Sequence, residues 1–261
     1  MSRMFTTAIV RDVPNSISAG ITAADLGQPD PDKAREQHRS YLAALEDCGL
    51  EVILLDPDER YPDSVFIEDT AVVTGRCAIV ANPGAPERRG EVQEVEKVLV
   101  DLYGDVERIT DPGTVDGGDV IQVGDHFYVG LSMRTNREGA EQLSDILRSY
   151  GYRVSFVDLC RFLHLKTGVA YLGGDDIVVA GELVERDEFL GFDRIVVPAE
   201  EEYGANCIRL DGRVLVARGY ETVGQSIAER GYKVTGLEMS EFRKLDGGLS
   251  CLSLRLPELE R

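Results

Sequence analysis

L-R-S-Y-G-Y-R-V-S-F-V, residues 147 to 157, ends one amphipathic helix and begins one apolar strand, with Gly151 at the joint. Ala140, Leu143, Leu147 and Tyr150 share one helical face, which carries the helix up to the glycine. A glycine just past a helix end suits the left-handed backbone conformation, where a Cβ is penalised. The same grammar appears four more times: L-E-D-C-G-L-E-V-I-L-L around Gly49, V-D-L-Y-G-D-V-E-R-I around Gly104, D-E-F-L-G-F-D-R-I-V-V around Gly191 and I-A-E-R-G-Y-K-V-T-G-L around Gly231. Val92, Val95, Leu99 and Leu102 supply the matching apolar face before Gly104. The glycines recur at intervals of 40 to 55 residues, a period that signals a propeller or array of one supersecondary unit.

A hairpin precedes four of these helices. The turns are placed at Thr74-Gly75, Gly124-Asp125, Gly173-Gly174 and Asp211-Gly212, the last being the strongest hairpin dipeptide. The fifth hairpin is missing from the interior. Its halves are C-L-S-L-R-L at the C-terminal end and T-T-A-I-V-R at the N-terminal end, and pairing them closes a ring. The expected fold is α/β: a five-bladed ββαβ propeller with pseudo-fivefold symmetry, one domain over residues 1–261 with no low-complexity linker.

The chain has 261 residues and is 43% hydrophobic, enough for a substantial core. Twenty-eight basic against 47 acidic residues leave a net charge of −19, with a pI near 4.6. That balance excludes a general nucleic-acid binder, which needs a basic face to displace phosphate counterions. It promotes solubility and attracts cationic substrates at long range. The five cysteines form no C-x-x-C pair, which argues against a disulfide framework and against a structural zinc site. No apolar run approaches the roughly 20 residues of a membrane helix, and no secretory leader opens the chain. A cytoplasmic protein with free thiols and no membrane partner is expected.

The starts of the first hairpin strands gather polar groups. S-V-F-I-E-D brings Glu68 and Asp69, T-V-D-G-G-D brings Asp116 and Asp119, and F-L-H-L-K brings His164. G-A-N-C brings Asn206 and Cys207, and G-G-L-S-C brings Cys251. If the ring closes, they converge near its axis. Cysteine catalysis needs a thiolate and a proton carrier, and a histidine beside a carboxylate supplies the second. Of three histidines, His38 lies in a polar helix and reads as surface or structural, and His126 lies at a hairpin turn and reads as exposed. His164 alone stands at a convergent position. Cys207 and Cys251 compete as nucleophile, both at strand starts. Gly247-Gly248 favours Cys251, because glycines let backbone approach a ligand closely. Cys48, Cys77 and Cys160 read as packing residues.

Several carboxylates around one thiol suit a planar cationic electrophile. Two carboxylates hold the N–H fork of a guanidinium while sulfur attacks its central carbon. Arg88, Arg89 and Arg134 follow second hairpin strands and read as rim arginines able to grip an α-carboxylate.

P-D-S-V-F-I-E-D, N-P-G-A-P-E-R-R, V-D-G-G-D-V, V-G-L-S-M-R-T-N-R-E-G-A, L-H-L-K, A-N-C-I and D-G-G-L-S-C together resemble the dimethylarginine dimethylaminohydrolases of the guanidino-group-modifying superfamily. The resemblance runs from about Ala8 to Leu254 and implies the five-bladed pentein propeller. It implies hydrolysis of Nω-methylated arginines to citrulline and an amine, with no metal and no organic cofactor. It assigns the nucleophile to Cys251, the general acid and base to His164, and the supporting carboxylate to Asp116, where some relatives carry Glu. It matches Glu68 to the guanidinium-binding acid, and Asp63, Phe66 and Asp69 to substrate contact or support. Arg88 and Arg134 resemble the α-carboxylate clamps, and Ile21 and Leu245 match lid and wall positions. Cys207 falls on a recurrent, non-catalytic position.

The implied partner is a small guanidino or ureido amino acid. Hydrolysis of citrulline to ornithine, or of arginine to ammonia, uses the same constellation, although arginine deiminases carry a helical insertion for which this chain has no room. A non-catalytic guanidino binder needs no Cys251 with His164. A cysteine peptidase is disfavoured because so many carboxylates repel a developing oxyanion. The oligomeric state is left open, with a homodimer as one expectation.

Overall fold

A computed structural model describes residues 4–260, so the outermost residues of the expected domain, 1–3 and 261, fall outside the described ones. Fifteen strands run in chain order: β1 (Thr7–Arg11), β2 (Glu51–Leu55), β3 (Ala71–Val73), β4 (Ala78–Val80), β5 (Glu107–Arg108), β6 (Val120–Val123), β7 (His126–Leu131), β8 (Arg153–Asp158), β9 (Val169–Gly173), β10 (Asp176–Val179), β11 (Asp193–Val196), β12 (Ile208–Leu210), β13 (Arg213–Ala217), β14 (Lys233–Leu237) and β15 (Leu254–Leu256). The α-helices are α1 (Pro31–Asp47), α2 (Val92–Tyr103), α3 (Arg137–Ser149), α4 (Leu165–Gly168), α5 (Glu221–Glu229) and α6 (Ser240–Arg243).

The described strands form five three-stranded sheets, each an antiparallel pair extended by a parallel third strand. The repeated unit is therefore one hairpin, one crossover and one outer strand, in a propeller-like α/β arrangement. The two chain ends supply one hairpin between them. β15 pairs antiparallel with β1, Thr7 opposite Leu256 and Ile9 opposite Leu254. The expected closure by the termini is present.

The helices start and stop as their sequences dictate. Asp30 caps α1 by accepting from the backbone N–H groups of Asp32 and Lys33 at 2.9 and 3.2 Å, with Pro31 in the first turn. Gly49, Gly104, Gly151 and Gly231 follow α1, α2, α3 and α5 with φ between +82° and +90°. Ala140, Leu143 and Leu147 of α3 are fully buried against Phe127 and Val129 of β7. On α2, Val95 and Leu99 are buried but Leu102 is 36% exposed, so the expected apolar stripe is narrower.

The fourth unit departs from expectation. Its crossover spans only residues 180–192 and carries two 3-10 turns, Gly181–Leu183 and Asp187–Phe189, in place of an α-helix. Gly181 opens it at φ +50°, and Gly191 is not left-handed. So short a connection cannot complete three helical turns and still return to the sheet, so Leu183 and Phe189 cover the core directly. Two hairpin turns also shift. The first is a four-residue turn from Thr74 to Cys77, with Thr74 N–H donating to Cys77 O at 2.9 Å. The third turns at Gly174 and Asp175, with Gly173 absorbed into a bulge at φ +102°.

Strands β15, β3, β6, β9 and β12, one from each sheet, contribute residues to a central cavity of about 160 Å³. The segments that lead into these strands carry the site.

Candidate active site

A second, smaller cavity of about 30 Å³ adjoins the central one and is lined by Glu68, His164, Asn206, Asp246, Gly248 and Cys251, among others. It receives residues from the first, third, fourth and fifth convergent segments, and Gly118 from the second. Glu68, Lys166 and Ser250 line both cavities and so form the wall between them.

Cys251 does not begin a strand. It sits in a single 3-10 turn, Ser250–Leu252, ahead of β15. The preceding glycines admit close neighbours, and Gly248 also lines the small cavity. A Cβ on Gly247 would lie 2.2 Å from the Phe66 ring, and one on Gly248 would lie 2.4 Å from the Asn206 amide carbon. Gly248 N–H points at Cys251 Sγ at 3.4 Å, and Gly247 O accepts from the Tyr203 hydroxyl at 2.7 Å. Burial, then the carboxylates of Glu68 and Asp69, push the Cys251 thiol up to about 12.

His164 is buried, and its Nε2 pairs with Asp116 Oδ2 at 3.0 Å and lies 3.9 Å from Asp69 Oδ1. Burial pulls the imidazole pKa down, but Asp69, the hydrogen bond to Asp116 and the charge of Asp119 outweigh it and raise it to about 9. Asp116 is fully buried, and its Oδ1 accepts from Gly84 N–H at 2.8 Å. The shorter Asp thus still reaches the histidine. Asp119 takes a separate place: its Oδ1 accepts from Leu165 N–H at 2.9 Å and its Oδ2 from Ser132 Oγ at 2.7 Å, fixing the backbone beside His164.

Two predictions follow from the packing of His164. A Cβ on Gly118 would stand 2.7 Å from His164 Nδ1, so Gly118→Ala should displace the ring and reduce turnover by about 10²-fold in a folded protein, checked by steady-state kinetics beside circular dichroism. The proton on His164 is held more tightly in the folded chain, at about 9, than at its ordinary 6.5. Its stabilising contribution, on the order of 3 kcal/mol, is full below about pH 6.5 and lost as pH rises through 9. Thermal unfolding midpoints should therefore fall across that window, and His164→Gln should flatten the fall.

Arg88 is not at a rim. It is buried, with Nη1 donating to Asp69 Oδ2 at 2.6 Å, Nη2 to Phe66 O at 2.8 Å, and Nε and Nη2 to Glu91. Arg89 is more open, with its nearest carboxylate Asp111 at 3.5 Å. Arg134 is different: its Nη1 is buried without a hydrogen-bond partner and stands 3.7 Å from Asp116 Oδ2. Such an orphan donor is available to an incoming anion.

Glu68 is more engaged than expected. Its Oε1 accepts from Lys166 Nζ at 2.7 Å and Arg255 Nη2 at 3.0 Å, and its Oε2 from Ser250 Oγ at 2.8 Å. Asp69 Oδ1 accepts from Gly118 N–H at 2.9 Å. Phe66 is buried edge-on to Phe242, with ring centroids 6.2 Å apart.

The segment after Gly20 lies over this region. Ile21 is 39% exposed, and its N–H is 3.1 Å from both oxygens of the buried Asp63. Leu245 is buried beside Gly20. Asp246, at φ +58°, accepts from Thr22 Oγ1 at 3.0 Å and Ala23 N–H at 2.8 Å.

Of the other candidates, Cys207 is buried on the central cavity, apart from the cavity that holds His164, and burial pushes its thiol up to about 12. His38 is buried, its pKa lowered to about 4 by desolvation. His126 is half-buried rather than exposed, donating to or accepting from Ser155 Oγ at 2.9 Å and stacked on Tyr128. The ligand atoms of Asp69, Asp116 and His164 lie within 4.8 Å of one another, a donor set a metal ion accepts. In this structure Arg88 already neutralises Asp69, and His164 pairs with Asp116. No helix among the described residues is long and apolar enough to cross a membrane.

Residue patterns missed Lys166, Ser250 and Arg255. Ser253 and Arg255 alternate with Leu252, Leu254 and Leu256, a period-two signal of a strand with a polar face. Lys166 and Ser250 carried no such signal.

A family model for N,N dimethylarginine dimethylhydrolase, eukaryotic, matches residues 22–202. The N(G),N(G)-dimethylarginine dimethylaminohydrolase of Pseudomonas aeruginosa is 49% identical over 253 residues, covering 97% of this chain and all of that protein. That of Streptomyces coelicolor is 37% identical, covering 97% of each. A solved structure of the Pseudomonas aeruginosa protein, a cysteine-to-serine mutant complexed with citrulline, superposes with a TM-score of 0.96 over 97% of this chain and all of that one. The N-terminal domain of ArgZ, an arginine dihydrolase, shares the fold at 20% identity with a TM-score of 0.87. Matched by the family model over most of its length and by a 49% identical relative over 97% of it, the chain belongs to the dimethylarginine dimethylaminohydrolase family.

Proposed function

We propose that this protein hydrolyses Nω-methylated arginines, asymmetric dimethylarginine and monomethylarginine, to citrulline and dimethylamine or methylamine through a covalent intermediate on Cys251. The observation that carries the reading is that Cys251 and the Asp116-paired His164 open on one small cavity walled by Glu68. Family membership supports the same chemistry.

The cationic guanidinium enters beside Glu68 and Asp69, the carboxylates that with burial hold the thiol high, and its charge favours the thiolate, the thiol proton passing to solvent. The sulfur attacks the guanidinium carbon. His164, protonated at neutral pH because Asp69 and Asp116 raise it, gives its proton to the departing amine. The carbon–nitrogen bond breaks and an S-alkylthiouronium remains on Cys251. His164, now neutral, takes a proton from water. The resulting hydroxide adds to the carbon, the carbon–sulfur bond breaks, and the adduct's hydroxyl proton goes to the departing sulfur, releasing citrulline and the Cys251 thiol.

Arg134, with its unpaired Nη1, takes the substrate α-carboxylate. Arg88 holds Asp69 in place through Nη1 and serves beside Arg134 as the second α-carboxylate clamp. Asp63 supports the Ile21 segment as lid, and Phe66 and Leu245 form apolar wall. In this reading the five sheets are five ββαβ blades about a pseudo-fivefold axis in one domain over residues 1–261. The enzyme acts in the cytoplasm on a small guanidino amino acid without metal or organic cofactor.

Parallel product assays on asymmetric dimethylarginine, monomethylarginine, arginine and citrulline test the proposal. Amine and citrulline should form from the methylated substrates. Turnover of citrulline with none of either methylarginine would replace the substrate, and no covalent labelling of Cys251 by a halo-amidine would replace the enzyme with a binder.

A further inference from the structure

Arg255 lies behind the wall that separates the two cavities and does not line the smaller one. Its side chain is 11% exposed. Nη2 donates to Glu68 Oε1 at 3.0 Å, while Nη1 donates to Ser250 O at 3.1 Å, Ser253 O at 3.2 Å and Ser253 Oγ at 2.9 Å. One rigid fork therefore ties the 3-10 turn that carries Glu68 to the 3-10 turn that carries Cys251. Those turns are 182 residues apart in sequence, as measured between Glu68 and Ser250.

Every polar group of Ser250, the residue before the nucleophile, is held. Its N–H donates to Asn206 Oδ1 at 2.9 Å, its Oγ to Glu68 Oε2 at 2.8 Å, and its carbonyl accepts from Arg255. Tyr41 hydroxyl shares a 2.7 Å hydrogen bond with Ser253 Oγ and so backs the arrangement from α1. Arg255 is the group that touches both Glu68 and the Ser250 carbonyl.

We propose that Arg255 is a positioning residue for the reaction, setting the distance between Glu68 and the Cys251 turn and offsetting the charge of Glu68 where it bears on the sulfur. The inference rests on the hydrolase reading above. The charged and titratable groups that face the thiol are Glu68 and Asp69 from one turn, His164 and Lys166 from the third unit, Tyr203 from the fourth, and Asp246 on its own segment. Removing Arg255 leaves Lys166 as the remaining cation on Glu68. The thiol should then ionise at higher pH, and the turn should lose its tether. Lysine restores the charge but not the fork, because an ammonium cannot reach two acceptors in that fixed geometry.

The test compares the parent with Arg255→Met and Arg255→Lys in two assays. One is steady-state turnover of dimethylarginine. The other is the rate of Cys251 alkylation by iodoacetamide without substrate at one fixed mildly alkaline pH, read by mass spectrometry of the Cys251 peptide. Arg255→Met should lower kcat by about tenfold or more with little change in KM, and slow the alkylation several-fold. Arg255→Lys should return the alkylation rate to the parent value while kcat stays low. A parent-like kcat in Arg255→Met overturns the inference, and so does a lowered kcat with a parent-like alkylation rate in folded Arg255→Met. If Arg255→Met fails to fold, a parent-like kcat in Arg255→Lys overturns it. A parent that turns over no methylarginine defeats the hydrolase reading instead, and the alkylation assay still judges Arg255.

Discussion

Cys251→Ser should keep the fold and lose turnover of methylated arginine by about 10³-fold or more, since a nucleophile that acts as one unit with its base cannot be replaced piecemeal. The side chain is half-buried in a turn whose backbone is held by Gly248, Asn206 and Arg255, so exchanging sulfur for oxygen disturbs little packing. The chemistry changes much more. Burial, with Glu68 and Asp69, already holds the thiol at about 12, and a hydroxyl starts far higher. A bound guanidinium can draw a thiol into ionisation at that level but not an alcohol. Substrate should still bind, measurable by calorimetry with the variant. Undiminished turnover by Cys251→Ser would remove Cys251 from the mechanism.

His164→Asn should lower turnover by about 10²–10⁴-fold, the range for a lost general acid and base. The two half-reactions should suffer unequally. A substrate with a good leaving group needs no proton from His164 to form the thiouronium, but release of citrulline still needs water to be deprotonated. The variant should therefore accumulate an adduct on Cys251, seen by intact-mass spectrometry. Asn cannot carry the charge that Asp69 and Asp116 stabilise on His164, so the fall in stability between pH 6.5 and 9 should vanish too. Normal release of amine and citrulline would sink the assignment of His164.

The two expected losses separate what different residues supply. Asp69 and Asp116 favour the protonated histidine, and burial with Glu68 and Asp69 favours the protonated thiol, the two aspartates acting from fixed positions. Asp116 is locked by Gly84 N–H and Asp69 by Gly118 N–H and Arg88. Carboxylates held by backbone donors need little reorganisation when charge moves nearby.

Much of the fold was legible because its signals are local. A glycine after an amphipathic helix, and a turn dipeptide between two apolar runs, act within a few residues. Even closure by the termini could be read, because one hairpin was missing and two unpaired strands remained. The fourth helix was misread because D-E-F-L-G resembles a helix end while the 13-residue connection, residues 180–192, leaves no space for the helix itself.

The sequence by itself determined the repeating unit, the pairing of the chain ends and the list of candidate residues, since each depends on spacing along the chain. Only the tertiary structure decided their relations. It buried Arg88 behind Asp69 and left Arg134 with a free donor, although both arginines follow a second hairpin strand. It used Gly247 and Gly248 to admit Phe66 and Asn206, with Gly248 also on the small cavity. It brought Arg255 between Glu68 and Ser250. Burial and hydrogen bonding are properties of groups that meet across units, and a pKa is set by those neighbours rather than by the residue's own place in the chain.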